Sequence, residues 1–462
     1  MKLRPSLYRR ASRALARALA PELSVRRYEG ASPRRMGPET RMGRTATETL
    51  TAAPALRQRG RFFTANEPFA AAGVAALVTY GVGAGPMPAH PNAGLVDSFA
   101  NEWWNVCDAD GRLDFGGLVA LAVRALIVDG ECFAVLLNTP QGLRVRLLPA
   151  EQVDESKTAD LGGGAFIASG IEFNAQGERV AYWIRPFMPT QQFETYAPPV
   201  RVDASDVLHI MRPDGVGQVR GVSWLAPVML KLADLGLLSD ALLKGFQVAA
   251  MHAGFMVDQN GIGGMPFDGE QSGDVLDVSL EPGTVRRLPA GYDVKFSNPQ
   301  AAQNSVEFRT SIIEEISAGL GVPAFMVSGN VNRANYSSLR AALITFKASL
   351  EAIQYNLIVP QLLAPIWRRF ALTEALRNGG EAEADCEWRF PAMPEADPMK
   401  QVQATVAQLN AKLLSRREAI AARGETIERV DADIAADPHA QSENQNEESE
   451  PPDDDPEDSN HE

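Results

Sequence analysis

Between Ser223 and Gly254 the chain changes period. Leu225, Val228, Leu232, Leu235, Leu242 and Phe246 recur at threes and fours, the spacing of one face of an α-helix. Ser223 can cap such a helix, and Pro227 falls in the first turn, where its missing N–H costs nothing. Residues 253–305 then read as short β-forming pieces ("GFMVDQ", "VLDVSLEPGTVRRLPAGYDVKFS") among Gly and Pro. A second helix follows in "SVEFRTSIIEEISAGLG" and stops at the glycines around Leu320. A small β unit inserted between two helices makes the chain α+β and restricts its architecture more than any other feature.

The flanking segments add detail. Residues 1–60 are rich in Arg, Ala and Ser, so part of this arm is expected to be loosely held. Order is expected from "LRQRGRFFTANEPFAAAGVAALVTYGVGAG", with Asn66 as an N-cap and a helix stopping at Gly81. The glycines of "GVGAG" follow a helix and lack Gly-Lys-Ser/Thr, so they read as a turn and not a phosphate loop. "LVDSFANEWWNVCDADGRLDFGGLVALAVRALIVDGECFAVLLN" reads as helix, turn, helix, strand. "DADGRLD" lacks the spacing and closing Glu of a calcium loop, which leaves a turn with an Asp N-cap. From 141 to 210 the composition is that of strands, with a hairpin turn at Gln176 and Gly177. Beyond Leu320, Leu339, Leu343, Phe346, Leu350, Ile353 and Leu357 alternate spacings of four and three along a long helix. Between them, "SGNVNRANYSS" (328–338) is a polar, easily bent loop. "EADCEWRF" reads as a strand, and two short helices follow, the second with a capping box of Ser415 and Glu418.

Charge is distributed steeply. The net charge is −14, but residues 1–61 carry +11 and residues 425–462 carry −14, leaving −11 for the middle. A chain this acidic is poorly suited to tight non-specific nucleic-acid binding, which needs Lys and Arg to replace counterions at phosphates. An acidic surface does suit a passage through which DNA must move without sticking. The end from 437 on reads as an acidic disordered tail.

Chemistry-bearing patterns are absent. Cys107, Cys132 and Cys386 are too scattered for a disulfide framework or a zinc site, and the five histidines show no ligand spacing. No apolar run reaches the roughly 18 residues of a membrane span. "RALARALA" is punctuated by Arg9, Arg10, Arg13 and Arg17, so it is not a secretory signal. "RGVSWLAP" lacks the second glycine of a nucleophile elbow. There is no Walker loop, HExxH or CxxC. The reading is a scaffold without cofactor or metal, not an enzyme.

Several stretches, in order, resemble the lambda-type portal proteins of tailed bacteriophages. They are "RRYEGASPRRMG" (26–37), "RFFTANEPFAAAGVAALVTYGVGAG" (61–85), "EWWNVCDADGRLDFGGLVALAVRALIVDGECF" (102–133), "LHIMRPDGVGQVRGVSWLAPVMLKLADL" (208–235), "GLGVPAFMVSGNVNRANYSSLRAALITF" (319–346) and "QLLAPIWRRF" (361–370), then "DPMKQVQA" and "SRREAIAARG". The resemblance implies a portal-type α+β architecture of wing, helical stem, β clip and helical crown. It implies assembly into a ring of about twelve subunits, closed by unlike faces meeting. It places a basic, flexible arm at 1–25 and the wing at 26–224 and 321–396. It places stem helices at 225–252 and 306–320, the clip at 253–305, the crown at 397–436 and the acidic tail at 437–462. It makes 328–338 a tunnel loop, braced by a helix over 336–358, with Asn330, Asn332, Arg333 and Asn335 facing passing DNA. The implied partners are further copies of the chain, the terminase large subunit, head-tail adaptor or tail proteins, and major capsid and scaffold proteins. Double-stranded DNA would be touched transiently and without sequence preference, and no membrane is involved. The implied location is the portal vertex of the virion, after assembly in the bacterial cytoplasm. Another oligomeric virion protein, such as a head-tail adaptor, and an uncharacterised enzyme are the alternatives.

Overall fold

The computed structural model describes residues 45–186, 198–251, 301–332, 336–379, 385–393, 398–421 and 427–437, residues 43, 382 and 423, and the short strands at 255–257, 270–272, 275–277 and 286–288. The 1–25 arm, the tail beyond Asp437 and most of 253–305 lie outside them.

Helix α1 (Thr45–Asn66) starts well before the expected onset of order. The buried face is Thr49, Ala53, Arg57, Gly60 and Thr64, a row of small or polar residues that shows no apolar period. Gly60 is required there, because an added Cβ would lie 2.5 Å from the Val128 carbonyl oxygen. Asn66 is the last residue of α1, its side chain donating to Phe62 O at 2.8 Å, and so is not the N-cap expected from the sequence. Glu67 takes the cap position of α2 (Pro68–Val82), which ends at Gly83 with φ +61°. The "GVGAG" glycines serve packing: a Cβ on Gly85 would meet the Trp104 ring at 2.8 Å.

Strand β1 (Met87–Ala89) leads into α3 (Ala93–Asp97), which widens into a π-helical stretch over Ser98–Trp103. Phe99 and Trp103 are both buried there, at the centre of an aromatic cluster with Phe115, Trp367, Phe370 and Trp388. Trp103 Nε1 donates to Leu143 O at 2.7 Å, so the buried indole is satisfied. Asp114 caps α4 (Phe115–Val128), accepting from Gly117 N at 2.7 Å. Asp108 accepts backbone N–H groups of Asp110, Arg112 and Leu113, which closes the "DADGRLD" turn without a metal.

Strands β2 (Glu131–Thr139) and β3 (Gly142–Leu148) form a hairpin. A five-stranded antiparallel sheet follows in the order β4 (Ala159–Gly162), β5 (Ala165–Ala168), β6 (Ile171–Phe173), β7 (Arg179–Ile184) and β8 (Val200–Asp203). The β6–β7 turn lies where the sequence puts it, with Asn174 Oδ1 accepting from Gln176 N and Glu178 N. Strand β9 (Val207–Met211) returns to pair with β2, giving a three-stranded sheet β3-β2-β9. Phe133, Leu148, Ile171, Tyr182, Ile184 and Val207, from both sheets, form a separate small core.

Helix α5 (Met229–Met251) follows a 3₁₀ turn, and α6 (Ala301–Leu320) returns beside it. Of the α5 stripe, Leu225, Val228, Leu232 and Leu235 are buried, Leu242 is half-buried and Phe246 exposed, so the hairpin leaves the core part-way along. Between the helices, β10 (Phe255–Val257) pairs parallel with β13 (Arg286–Leu288), and β11 (Glu270–Ser272) antiparallel with β12 (Val275–Asp277). Helix α7 (Ala324–Ser328) precedes α8 (Tyr336–Ile353), which runs through a π-helical segment over Gln354–Leu363 into α9 (Ala364–Asn378). Pro360 lies in that segment; a proline inside a helix lacks an N–H and crowds the preceding turn, and the wider π turn accommodates it. Strand β14 (Glu387–Arg389) pairs with β1 across three hundred residues. One continuous core joins residues from α2, α4, β2, the start of α5, the end of α6, α8, α9 and β14.

Three helices end the described chain, not two: α10 (Pro398–Asn410), α11 (Arg416–Ala421) and α12 (Ile427–Ala436). The Ser415–Glu418 capping box forms as expected, and an Arg416–Asp431 ion pair ties α11 to α12.

Candidate functional site at the loop between α7 and α8

Helix α7 ends at Gly329, whose φ of +68° only glycine adopts readily. Its N–H donates to Phe325 O at 2.9 Å. Beyond it two side chains fold the backbone on itself: Ser328 Oγ accepts from Asn330 N at 3.2 Å, and Asn330 Oδ1 accepts from Asn332 N at 3.0 Å. Residues 329–332 are exposed, including Asn330 and Asn332. Arg333 and Asn335 lie outside the described residues. The polar stretch is therefore shorter than 328–338: Ser328 belongs to α7 and the residues from Tyr336 on to α8. Its first half is a nested turn.

Helix α8 and the π segment after it bury the expected stripe. Phe346, Leu350 and Leu357 are buried, while Leu339, Leu343 and Ile353 are half-buried. The opposite face carries Arg340, Ile344, Lys347 and Glu351, all exposed. Arg340 and Lys347 stand two turns, about 10 Å, apart on that face. They add two positive charges beside the loop, a signal that a search for polar loops passes over. Beside Asn330 opens a groove of about 520 Å³, walled by Phe69, Ile313, Phe325 and Leu339, with the Arg309 guanidinium 5.8 Å from the Phe69 ring centre. Short polar side chains and isolated cations can donate hydrogen bonds to phosphate.

A second centre has the residue types of an active site but a different use. Glu131 is fully buried and accepts from Arg57 (3.1 Å), Arg220 (2.8 Å), His209 Nε2 (3.0 Å) and Gly221 N (2.8 Å). Arg220 also donates to the carbonyls of Ala150 and Ser169, each at 2.9 Å. Burial alone would push the Glu131 carboxyl up, but Arg220 and His209 outweigh it and hold it far below the usual carboxylate range. Burial lowers His209 to about 4, more than Glu131 raises it. Its Nδ1 is buried without a partner, as befits a neutral ring with the proton on Nε2. Every acceptor position of Glu131 is occupied, so the centre fastens α1, the β2–β9 sheet and the 218–221 segment together.

Burial pushes the thiols of Cys107, Cys132 and Cys386 up to about 12, and none is in a disulfide. Among the described residues no cluster of His, Cys, Asp or Glu could hold a metal, and no helix is long and apolar enough to cross a membrane.

Comparison with known proteins assigns this arrangement to a family. Residues 32–354 match the family described as phage portal protein, lambda family, a stretch that takes in both sheets, the α5–α6 hairpin and the loop. The chain belongs to the lambda family of phage portal proteins. Portal proteins are structural proteins of the virion and not enzymes. This portal chain is 24% identical over 378 residues to portal protein B of Escherichia phage lambda, covering 72% of this chain and 70% of that one. It is 24% identical over 290 residues to a probable portal protein of Halomonas phage phiHAP-1, covering 61% of this chain. That match spans about half, 53%, of the Halomonas phage protein's length. Among solved structures, the neck of a native GTA particle computed with C12 symmetry is similar at 15% identity, covering 79% of this chain and 91% of that one, with a TM-score of 0.44. A HK97 family phage portal protein from Corynebacterium diphtheriae is similar at 12% identity, covering 79% of this chain and 99% of that one, with a TM-score of 0.31. At these scores the shared geometry is partial, and the family assignment stands on the sequence.

Proposed function

We propose that this portal protein assembles into a ring of about twelve copies at one capsid vertex, closed by unlike faces meeting around the axis. The ring is the channel through which DNA is packaged and ejected. The observation that carries this reading is the α5–α6 hairpin, rooted in the one continuous core and bearing short strands at its far end. In it the hairpin is the stem (225–252 and 306–320), the segment 253–305 the clip, 26–224 with 321–396 the wing, and 397–436 the crown. The clip docks the terminase large subunit during packaging and head-tail adaptor or tail proteins afterwards, while capsid and scaffold proteins hold the wing.

Asn330, Asn332, Arg333 and Asn335 face the channel, and Arg340 and Lys347 stand behind them. They meet phosphates without reading bases, because amides and single cations carry no base pattern. An overall acidic chain keeps each contact weak enough for the duplex to slide.

Light scattering and negative-stain imaging of the purified protein, alone and co-expressed with capsid and scaffold proteins, test the reading. Rings with a central hole are expected. Monomers or dimers under both conditions overturn it. The loop assignment has a separate test, in which Asn330, Asn332, Arg333 and Asn335 are all changed to Ala. Rings of normal mass with altered packaging of DNA are expected, and unaltered packaging removes the loop from the channel.

A further inference from the structure

Helix α5 carries large apolar side chains on two opposite faces. Val228, Leu232 and Leu235 are buried in the core, but Leu230 and Leu237 point the other way and are 79% and 69% exposed. At about 100° per residue, Leu230, Asp234, Leu237, Ala241 and Lys244 fall in a single stripe about 80° wide. All five are exposed. A helix apolar on both sides is stable in water only when both sides are covered. A lipid cover does not fit, since α5 carries Lys231, Asp234, Asp240 and Lys244 and fails as a membrane span.

The height of this ridge is fixed by its packing on α6. Lys231 Nζ meets Glu315 Oε2 at 2.8 Å, and Val228 fills the space where a Cβ on Gly319 would sit, 2.3 Å from its Cγ1. The helices run antiparallel with equal rise, so Leu237 stands level with Arg309 and Asp234 level with Ile312. The groove between α6, α7 and α8 occupies that height, lined on α6 by Val306, Arg309, Thr310, Ile313 and Glu314. A rotation about a ring axis moves a subunit around the axis and not along it, so equal heights on neighbouring subunits meet wherever the hairpin runs along the axis. Charge matches as well. Asp234 sits between the two leucines of the ridge with Lys231 nearby, and Arg309 stands by the Phe69 ring in a groove that also holds Glu314; among the described residues neither Asp234 nor Arg309 closes an ion pair.

We propose that in the ring reading above, on which this inference rests, the ridge of Leu230, Asp234 and Leu237 seats in the groove between α6, α7 and α8 of a second copy, with Asp234 about 4.5 Å along the helix from the level of Arg309 and within reach of its long side chain. The contact is heterologous, one ridge to one groove, and repeats around the ring. It places the neighbour's α5 directly behind the α7–α8 loop, so the neighbour shares in holding that loop.

Charge exchange in the full-length protein tests this. D234R and R309D should each raise the concentration needed for ring formation about tenfold or more, because a like-charge pair then faces inward at the interface. The double variant D234R/R309D should recover the rings, which only direct pairing of the two positions across subunits explains. L237E should abolish rings and leave the monomer's melting temperature unchanged. Single variants that assemble like the parent, or a double variant that fails to recover, overturn the ridge-to-groove contact while leaving the ring standing. An L237E monomer that melts well below the parent also overturns it, since the ridge is then covered by its own chain. A parent that forms no ring, alone or with shell proteins, removes the ring reading and this contact together.

Discussion

Glu131 has four donors, and its neighbours Arg57 and Arg220 are paired in the core with Glu131 and Glu155. Glu131→Gln would leave two buried guanidinium groups under-compensated, and removing one partner of such a network costs about 3–5 kcal/mol. Urea denaturation of the monomer should show a loss of that size. His209 makes the same centre pH-sensitive. Its folded pKa, about 4, lies below the unfolded value of 6.5, so the unfolded chain binds the extra proton first. The stability it contributes is complete above pH 6.5 and falls as the pH drops towards 4. Glu131, also depressed, adds a loss only below its unfolded value of 4.5. Stability measured against pH should therefore fall between 6.5 and 4.5, and His209→Gln should flatten that part of the curve. A slope unchanged in the variant would place the titrating group elsewhere. No sequence pattern announces this centre, because Arg57, Glu131, His209 and Arg220 are brought together from four separate stretches.

At the scale of elements, the α8 stripe separates core from surface in one helix. Leu350→Ala removes a buried side chain packed near Gly81 and should cost about 2–5 kcal/mol, whereas Ile344→Ala, on the exposed face, should change monomer stability by less than about 0.5 kcal/mol. Equal losses at the two positions would mean that the exposed face of α8 is buried in the isolated chain. The α5–α6 crossing depends on Gly319, where an added methyl collides with a stiff, buried Val228. Gly319→Ala should cost about 1–3 kcal/mol through overpacking, despite its better helix propensity. A thermal melt no lower than the parent's would show that the helices can move apart freely. The hairpins, the α8 stripe and the Ser415–Glu418 box were legible because each depends on residues a few positions apart. The onset of α1 was not, since its buried face is Thr, Ala, Arg and Gly and its hold on the fold comes through a distant carboxylate.

For the whole molecule, charge is the property that would matter to a duplex in the proposed channel. Residues 438–462 carry ten Asp or Glu and no Lys or Arg, so deleting them brings the net charge from −14 to −4. The deletion touches no described element, so the melting temperature should stay the same. Retention of double-stranded DNA by the truncated protein should rise at low salt and return to the parent's level near 1 M, where the screening length is about 3 Å. Equal retention by both forms at low salt would show that the tail's charge does not reach the path of the DNA.

By itself the sequence determined the α+β class, the inserted β unit, the order of the long helices and the family, because these follow from local periodicity and from the order of segments along the chain. It also singled out the polar stretch ahead of α8. Only the tertiary structure decided that β1 pairs with β14, that Phe99, Trp103, Trp367 and Trp388 meet in one cluster, and that Glu131 gathers two arginines and a histidine. Those contacts join residues up to three hundred positions apart, and their energy depends on burial, which no short window of sequence records. The two-sided character of α5 lies between the two cases. Its leucines are visible in the chain, but which of them face the core and which stay exposed is settled by where α6 packs.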